Sequence, residues 1–197
     1  AVHPDDIFNC NSPYRGPFRR KVVTNFRNRS HGPINPINIL RVSSNVGMAR
    51  MIERADPLQL REGLRGFGLG EKALDLFEHE EVGIFPAAAE WTNKVNLYGL
   101  AMGYWVNVTA LQIVRAYCAL ANGGTLPRLQ LLEDGSGRQE SQAPVSQEVC
   151  AYIREGLGLV VESGSGQEAR MEEYKVGGKT GTSDMQDSGN YTDRSRW

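Results

Sequence analysis

Several features that would point to particular protein classes are scarce or missing in this sequence. The 197 residues include three cysteines, Cys10, Cys118 and Cys150, which are far apart and show no CxxC spacing. An odd number of cysteines placed in this way argues against a disulfide framework and against a zinc site. No run of about 18 apolar residues occurs, so we expect no membrane span within the chain, and no signal peptide is visible.

Neither sign of charge is in excess. Lys and Arg number 22 against 23 Asp and Glu, for a net charge of -1, which gives no electrostatic reason to expect nucleic acid as a partner. One local basic cluster has no accompanying ladder of aromatic residues, so we interpret it as a solvated loop. Its members are Arg15, Arg19, Arg20, Lys21, Arg27 and Arg29.

The composition is that of a folded domain. Hydrophobic residues make up 40% and charged residues 23% of the chain, which suits one globular domain with a core of its own. Four helix starts are predicted, from N-cap residues, from proline at the first helical position and from a capping box. They lie at Asn35-Pro36, Asp56-Pro57, Thr109 (with Gln112) and Ser146.

The predicted helices are accompanied by little strand. The third helix carries its apolar side chains at Leu111, Val114, Cys118 and Ala121, and we expect the thiols of Cys118 and Cys150 to behave as buried small hydrophobes. Strands are predicted at residues 126–132, with Pro127 confining the first of them to a sheet edge, and at residues 174–183.

Residues 177–183 (Gly-Gly-Lys-Thr-Gly-Thr-Ser) form the first of two motifs whose residues could take part in catalysis or binding. A phosphate-binding P-loop would need glycine where Glu173 stands, and a helix after Thr180 rather than the turn-forming mixture that follows, so a nucleotide site is excluded. The pattern fits a strand on which a cationic Lys179 and alternating hydroxyls hold a carboxylate. Gly181 would let the backbone approach closely, and the amide of Thr182 could donate to an oxyanion.

The second motif is Ser43-x-Asn45, within residues 41–48. By itself it is typical of a helix cap, and a Lys-Thr-Gly tripeptide by itself occurs by chance in many proteins. The combination is more specific, because class A β-lactamases and penicillin-binding proteins share S-x-x-K, S-x-N and K-T-G in that chain order. The last two occur here in that order, ending at Lys179.

Three segments together give a closer resemblance. Residues 43–48, 108–124 and 176–182 resemble class B (monofunctional) penicillin-binding proteins, the peptidoglycan D,D-transpeptidases of cell elongation, division or sporulation. The resemblance runs along nearly the whole chain and is loosest over residues 67–95 and 125–145. It implies an α+β fold of the penicillin-binding protein and serine β-lactamase type, with an antiparallel sheet packed by helices beside a helical lobe.

The resemblance also implies a reaction and a set of roles. In the family a serine attacks the D-Ala-D-Ala end of a stem peptide and passes the acyl group to an amine, and β-lactam antibiotics are trapped as acyl-enzymes. Carried over by motif, Ser43 relays a proton to the leaving amine, Asn45 binds the substrate's amide and Lys179 supplies positive potential. The expected substrate-binding residues are Thr180, Gly181 and Thr182. No cofactor or metal is implied.

One departure from the family concerns the nucleophile. No serine of this chain has a lysine three residues later, so we expect residues 1–197 to be one partial domain, truncated at both ends and inactive alone. The resemblance places the parent at the extracytoplasmic face of the bacterial cytoplasmic membrane, with an anchor upstream and the cell-wall synthesis machinery as partner. Trp105 also stands where the family often has glycine.

Two alternatives stay open from the sequence. A β-lactamase or a D-Ala-D-Ala carboxypeptidase of the same superfamily would send the acyl group to water, although residues 108–112 and 122–124 favour the transpeptidase. A non-catalytic β-lactam sensor or scaffold would lack S-x-x-K in the parent sequence or carry a transduction module.

Overall fold

A computed structural model describes residues 2–17, 22–131 and 140–181, together with the backbone of residues 185–187 and 190–192; residues 94 and 95 are likewise described by backbone alone. The helices of this part are α1 (Pro36–Val42), α2 (Asn45–Ile52), α3 (Pro57–Gly66), α4 (Ala88–Trp91), α5 (Lys94–Ala101), α6 (Ala110–Ala121) and α7 (Gln147–Ser163). The strands are β1 (Phe8–Asn9), β2 (Pro33–Ile34), β3 (Thr125–Leu126), β4 (Ser141–Gln142), β5 (Met185–Asp187) and β6 (Asn190–Thr192).

The four predicted helix starts are confirmed by their capping hydrogen bonds. Asn35 accepts from a backbone N–H of the first turn of α1, and Asp56 accepts from two such groups in α3. Thr109 and Gln112 form the reciprocal capping box of α6, at 3.3 and 2.9 Å. The hydroxyl of Ser146 accepts at the start of α7. These side chains satisfy donors that a helix leaves unpaired at its amino end, each stabilising its helix by about 1 kcal/mol.

Helices α1, α2 and α7 form the part of the fold that carries the Ser43-x-Asn45 motif. Close packing between α1 and α2 depends on Gly47, because a Cβ there would lie 2.7 Å from the side chain of Ile39. Gly156 of α7 has the same relationship to Leu40 of α1, at 2.7 Å. The other face of α2 buries Val46, Ala49 and Ile52 against Val23, Leu97 and Tyr98. The two glycines therefore let the three helices pack with little separation.

Helix α6 packs with the face opposite to the predicted one. Leu111, Val114 and Cys118, which the periodicity placed on the buried side, are exposed. The buried residues of α6 are Gln112, Arg115 and Ala119. The prediction was wrong because backbone carbonyls of neighbouring loops face α6 and need hydrogen-bond donors. Gln112 Nε2 donates to Glu71 O at 2.6 Å and to Val82 O at 3.1 Å. Arg115 Nε donates to Pro127 O at 3.0 Å. Buried carbonyls left unpaired would cost more than an exposed apolar face.

The strands pair as three separate antiparallel hairpins or ribbons, β1 with β2, β3 with β4 and β5 with β6. In the described part of the strand predicted at residues 126–132, which ends at residue 131, the structure has strand only at Leu126, within β3 (Thr125–Leu126); residue 132 lies outside the described residues. Pro127 follows at once, and because proline has no N–H to donate, the ladder ends there. Helices together with small antiparallel sheets make this an α+β chain, as the sequence predicted.

The strand predicted at residues 174–183 is not found in its described part, residues 174–181; Thr182 and Ser183 lie outside the described residues. The segment runs along α7 instead, where Gly178 N–H donates to Leu157 O at 3.1 Å. A strand needs a partner backbone for its ladder, and a helix carbonyl takes that place here. Among the helices that the structure describes, none is both long enough and apolar enough to cross a membrane.

Candidate active site

At the junction between α1 and α2, the two serines of the Ser43-x-Asn45 motif have different roles. Ser43 ends α1 in the left-handed conformation, with φ 55° and ψ 49°, and is half-buried. Ser44 is fully buried and caps α2, its hydroxyl accepting from Gly47 N–H at 3.0 Å. A left-handed serine costs about 1 kcal/mol or more, and such positions cluster at functional sites. Because Ser44 does the capping, the hydroxyl of Ser43 is available for another contact.

Asn25 holds the α1–α2 junction through hydrogen bonds of its side chain. Its side chain is buried, and its Oδ1 accepts from Ser44 Oγ and from Val46 N–H, both at 3.0 Å. Its Nδ2 donates to Cys10 O at 2.9 Å and to Arg29 O at 2.7 Å. A fully bonded buried amide holds its neighbours in one arrangement. No sequence signal marks this residue, since Asn25 lies in a loop without a motif.

Asn45 is the first residue of α2 and is half-buried. Its Nδ2 donates to the backbone oxygen of Thr24 at 3.0 Å. This bond uses one of the two amide hydrogens. Within the described residues the second hydrogen and Oδ1 have no hydrogen-bond partner, so they can serve a molecule bound beside α2.

Lys179 meets Ser43 across the fold. Its Nζ donates to Ser43 Oγ at 2.7 Å, over 136 residues of sequence, and to its neighbour's backbone oxygen, Thr180 O, at 2.8 Å. The structure therefore brings the two motifs into contact, as the sequence argument required. Within the described residues the ammonium has oxygen partners but no carboxylate in salt-bridge distance.

The ammonium of Lys179 is partly desolvated although the residue as a whole is exposed. Burial of this group against its neighbours lowers the pKa of Lys179 from its ordinary value. Desolvation disfavours the charged form, and no counter-charge among the described residues offsets it. A cation held in this way has unused capacity to attract an anion.

Thr180 places a hydroxyl beside the ammonium of Lys179. Thr180 Oγ1 lies 3.5 Å from Lys179 Nζ and 3.0 Å from the hydroxyl of Ser165, in the loop after α7. Gly181 is exposed, and Thr182, to which the sequence assigned carboxylate binding and an oxyanion donor, lies outside the described residues. Half-buried Ser43 and exposed Lys179 and Thr180 therefore form one group with two hydroxyls and one cation, a set of donors suited to a carboxylate.

Solved structures that share the fold show which class of protein this chain belongs to. The chain superimposes with a TM-score of 0.80 on the transpeptidase domain of penicillin-binding protein 3 from Burkholderia pseudomallei, at 23% identity, covering 97% of this chain and 57% of that one. At this identity the likeness shows a shared fold. The α+β arrangement described above is therefore that of a penicillin-binding protein transpeptidase domain.

Comparison of sequences shows the family itself. The model of the penicillin binding protein transpeptidase domain matches residues 1–197, and the chain belongs to that family. It is 32% identical over 158 residues to the probable peptidoglycan D,D-transpeptidase PbpC of Pseudomonas aeruginosa, covering 80% of this chain and 28% of that protein. It is 32% identical over 173 residues to stage V sporulation protein D of Bacillus subtilis, covering 82% and 26%. The chain thus spans about a quarter of the length of these relatives.

Proposed function

We propose that this chain is part of a serine-type peptidoglycan D,D-transpeptidase that cross-links cell-wall stem peptides and binds β-lactams covalently. The contact between Lys179 Nζ and Ser43 Oγ at 2.7 Å is the observation that carries the proposal. It joins S-x-N to K-T-G in a chain whose family and fold are those of the transpeptidase domain. The name of one relative, a probable peptidoglycan D,D-transpeptidase, supports the same activity.

Ser43 would relay a proton to the leaving D-Ala amine. The adjacent ammonium donates to its oxygen, which leaves the hydroxyl hydrogen of Ser43 free to be donated. A neighbouring positive charge also makes that hydroxyl more acidic. Both effects favour transfer of the proton as the amide bond breaks, since a proton must reach the departing nitrogen in an acyl transfer.

Lys179 and Thr180 would hold the terminal carboxylate of the stem peptide or of a β-lactam. Ammonium and hydroxyl lie together, at 3.5 Å from Nζ to Oγ1, and both are on an exposed part of the chain. Thr182 would complete this set and provide one oxyanion donor through its amide, with Gly181 between them keeping the backbone accessible. Asn45 would bind the substrate's amide through the groups that Thr24 leaves unused.

The nucleophile belongs to the parent in this proposal, because no serine here has the lysine partner of S-x-x-K. A serine hydroxyl without an activating base is a poor nucleophile, so residues 1–197 alone should not form an acyl-enzyme. The parent would act at the extracytoplasmic face of a bacterial cytoplasmic membrane, through an anchor in its own sequence and together with other cell-wall enzymes.

Fluorescent penicillin tests the proposal on two chains. One is residues 1–197, and the other, called the extended chain, is the same sequence within a parent that includes S-x-x-K. The extended chain should carry label that survives denaturing electrophoresis, whereas residues 1–197 should carry none. A matched control replaces the serine of S-x-x-K by alanine, and it too should stay unlabelled. Absence of label on the extended chain would contradict the function, and label on residues 1–197 would contradict the assignment of the nucleophile to the parent.

A further inference from the structure

A Gly-Ser-Gly turn at residues 164–166 lies between the two motifs. The backbone N–H of Ser165 donates to Arg41 O at 3.1 Å, two residues before Ser43. The side-chain hydroxyl of Ser165 lies 3.0 Å from Thr180 Oγ1. One residue therefore touches both the end of α1 and the Lys-Thr-Gly segment, although neither motif includes it.

The turn is held closely against α1. A Cβ on Gly164 would lie 2.2 Å from Arg41 O, so no larger residue fits there without a shift. The N–H groups of Gly164 and Gly166 both donate to Val160 O in the last part of α7, at 3.2 and 2.9 Å. The position of the Ser165 backbone is thus set by α7 and α1 together and not by its own side chain.

The Ser165 hydroxyl, in contrast, has little to do for stability. Ser165 and Thr180 are both exposed, and a hydrogen bond between exposed hydroxyls replaces one with water at almost no net gain. The bond does control the direction in which the Thr180 hydroxyl points. When Ser165 donates to Thr180 Oγ1, the single hydroxyl hydrogen of Thr180 is left to point outward, and accepting one bond strengthens the next that it donates.

We propose that Ser165 is a positioning residue for carboxylate recognition: it donates to Thr180 Oγ1 and orients the Thr180 hydroxyl toward the carboxylate of the substrate or β-lactam. This inference rests on the proposed function, because the carboxylate is the ligand that the Lys-Thr-Gly segment would take. It adds a residue to the site that no motif marks. It also gives a reason for the turn's contact with Arg41, since the same residue keeps Thr180 in register with α1.

The test compares Ser165→Val with Ser165→Thr in the extended chain. The two side chains have the same shape, and only threonine has a hydroxyl. Acylation rates are measured with benzylpenicillin and with its methyl ester, which lacks the carboxylate. The ratio of the rate for the free acid to that for the ester should fall about three- to tenfold in the valine variant, as expected for one hydrogen bond, and be restored in the threonine variant.

Ser163 supplies a matched control. It is an exposed hydroxyl two residues earlier that lies within 3.5 Å of Leu159 O and Arg41 Nη1 and, among the described residues, has no hydrogen bond to Thr180. Ser163→Val should keep the wild-type ratio. A merely structural role for Ser165 would lower both rates together and leave the ratio unchanged.

Equal ratios in the valine and threonine variants would overturn the inference while leaving the proposed function intact. Failure of the unmodified extended chain to react with benzylpenicillin would overturn both. If Ser165→Val does not fold, as judged by its thermal transition, Ser165→Ala removes the same hydroxyl with a smaller side chain. The alanine variant must then show the lowered ratio, and a wild-type ratio would overturn the inference.

Discussion

Lys179 Nζ lies 2.7 Å from Ser43 Oγ, although 136 residues separate them in the chain. Neither motif accounts for the contact by itself. Ser43 is placed by the left-handed end of α1, and Lys179 is placed by a segment that lies along α7. Because α7 packs against α1 at Gly156, the two are brought to the same side of the molecule.

Loss of the cation should slow acylation without unfolding the domain. We expect Lys179→Ala in the extended chain to lower the acylation rate by benzylpenicillin by about 2–4 kcal/mol of transition-state stabilisation, or roughly 30- to 1,000-fold. Lys179→Met keeps the length of the side chain without its charge and serves as the control for packing. Stopped-flow or quenched acylation rates measure the effect, and a wild-type rate in both variants would remove Lys179 from the site.

The acylation rate should fall at alkaline pH, beginning at a lower pH than the pKa of an ordinary lysine would give. Burial lowers the pKa of Lys179, so its ammonium is lost as pH rises through a value below that of an ordinary lysine. Carboxylate capture should fall over the same range. Lys179→Arg keeps a charge to much higher pH, so its alkaline limb should move upward or vanish. An unmoved limb would assign the titration to another group.

The lowered pKa of Lys179 also affects the stability of the folded chain. The folded pKa of Lys179 lies below the unfolded one, so below both values the desolvated ammonium opposes folding, and this opposition is relieved as pH rises through the folded pKa. Lys179→Met should therefore unfold at a slightly higher denaturant concentration than the wild-type chain at pH 7, with the difference shrinking at alkaline pH. A destabilised methionine variant would contradict this sign.

Adjacent serines should separate stability from activity. Ser44→Ala removes the cap of α2 and a bond to buried Asn25, so we expect a loss of about 1–2 kcal/mol in the free energy of unfolding. Ser43→Gly removes a strained left-handed side chain and should gain up to about 1 kcal/mol. Denaturant unfolding of the extended chain measures both. Acylation should nevertheless fall in the Ser43 variant, and a Ser43→Gly chain with full activity would argue against the proton relay.

Gln112 should matter to the fold more than any exposed apolar residue of α6. It pairs with Thr109, Glu71 and Val82 through backbone groups, and Gln112→Leu would leave these groups unpaired. We expect a loss of about 1–3 kcal/mol. Leu111→Ala, one residue earlier on the exposed side, is the control and should change stability by less. A reversed order of the two effects would contradict the observed facing of α6.

Thiol labelling offers a direct check on that facing. Cys118 is exposed, whereas Cys10 and Cys150 are buried, and burial raises the pKa of Cys10. A maleimide at neutral pH should label Cys118 of residues 1–197 within minutes, and the other two only in denaturant. Peptide mass spectrometry assigns the sites. Rapid native labelling of Cys150 with protection of Cys118 would show that α6 packs by its other face.

The helix starts could be predicted from the sequence because capping is local. Asn35, Asp56, Thr109 and Ser146 each satisfy donors within three residues of themselves, so the sequence holds both partners. Family membership could be predicted for a related reason, since the order of short motifs is itself a sequence property. The assignment of Ser43 and Lys179 to one site followed from that order.

Other features were decided by tertiary structure. Which face of α6 is buried depended on loop carbonyls far along the chain, and the segment at residues 174–181 paired with a helix carbonyl where β propensity indicated a strand. Asn25 and Ser165 could not be found at all from the sequence. Their partners, Ser44 and Thr180, are 19 and 15 residues away, and a hydrogen bond over such a separation exists only once packing has brought its two atoms together.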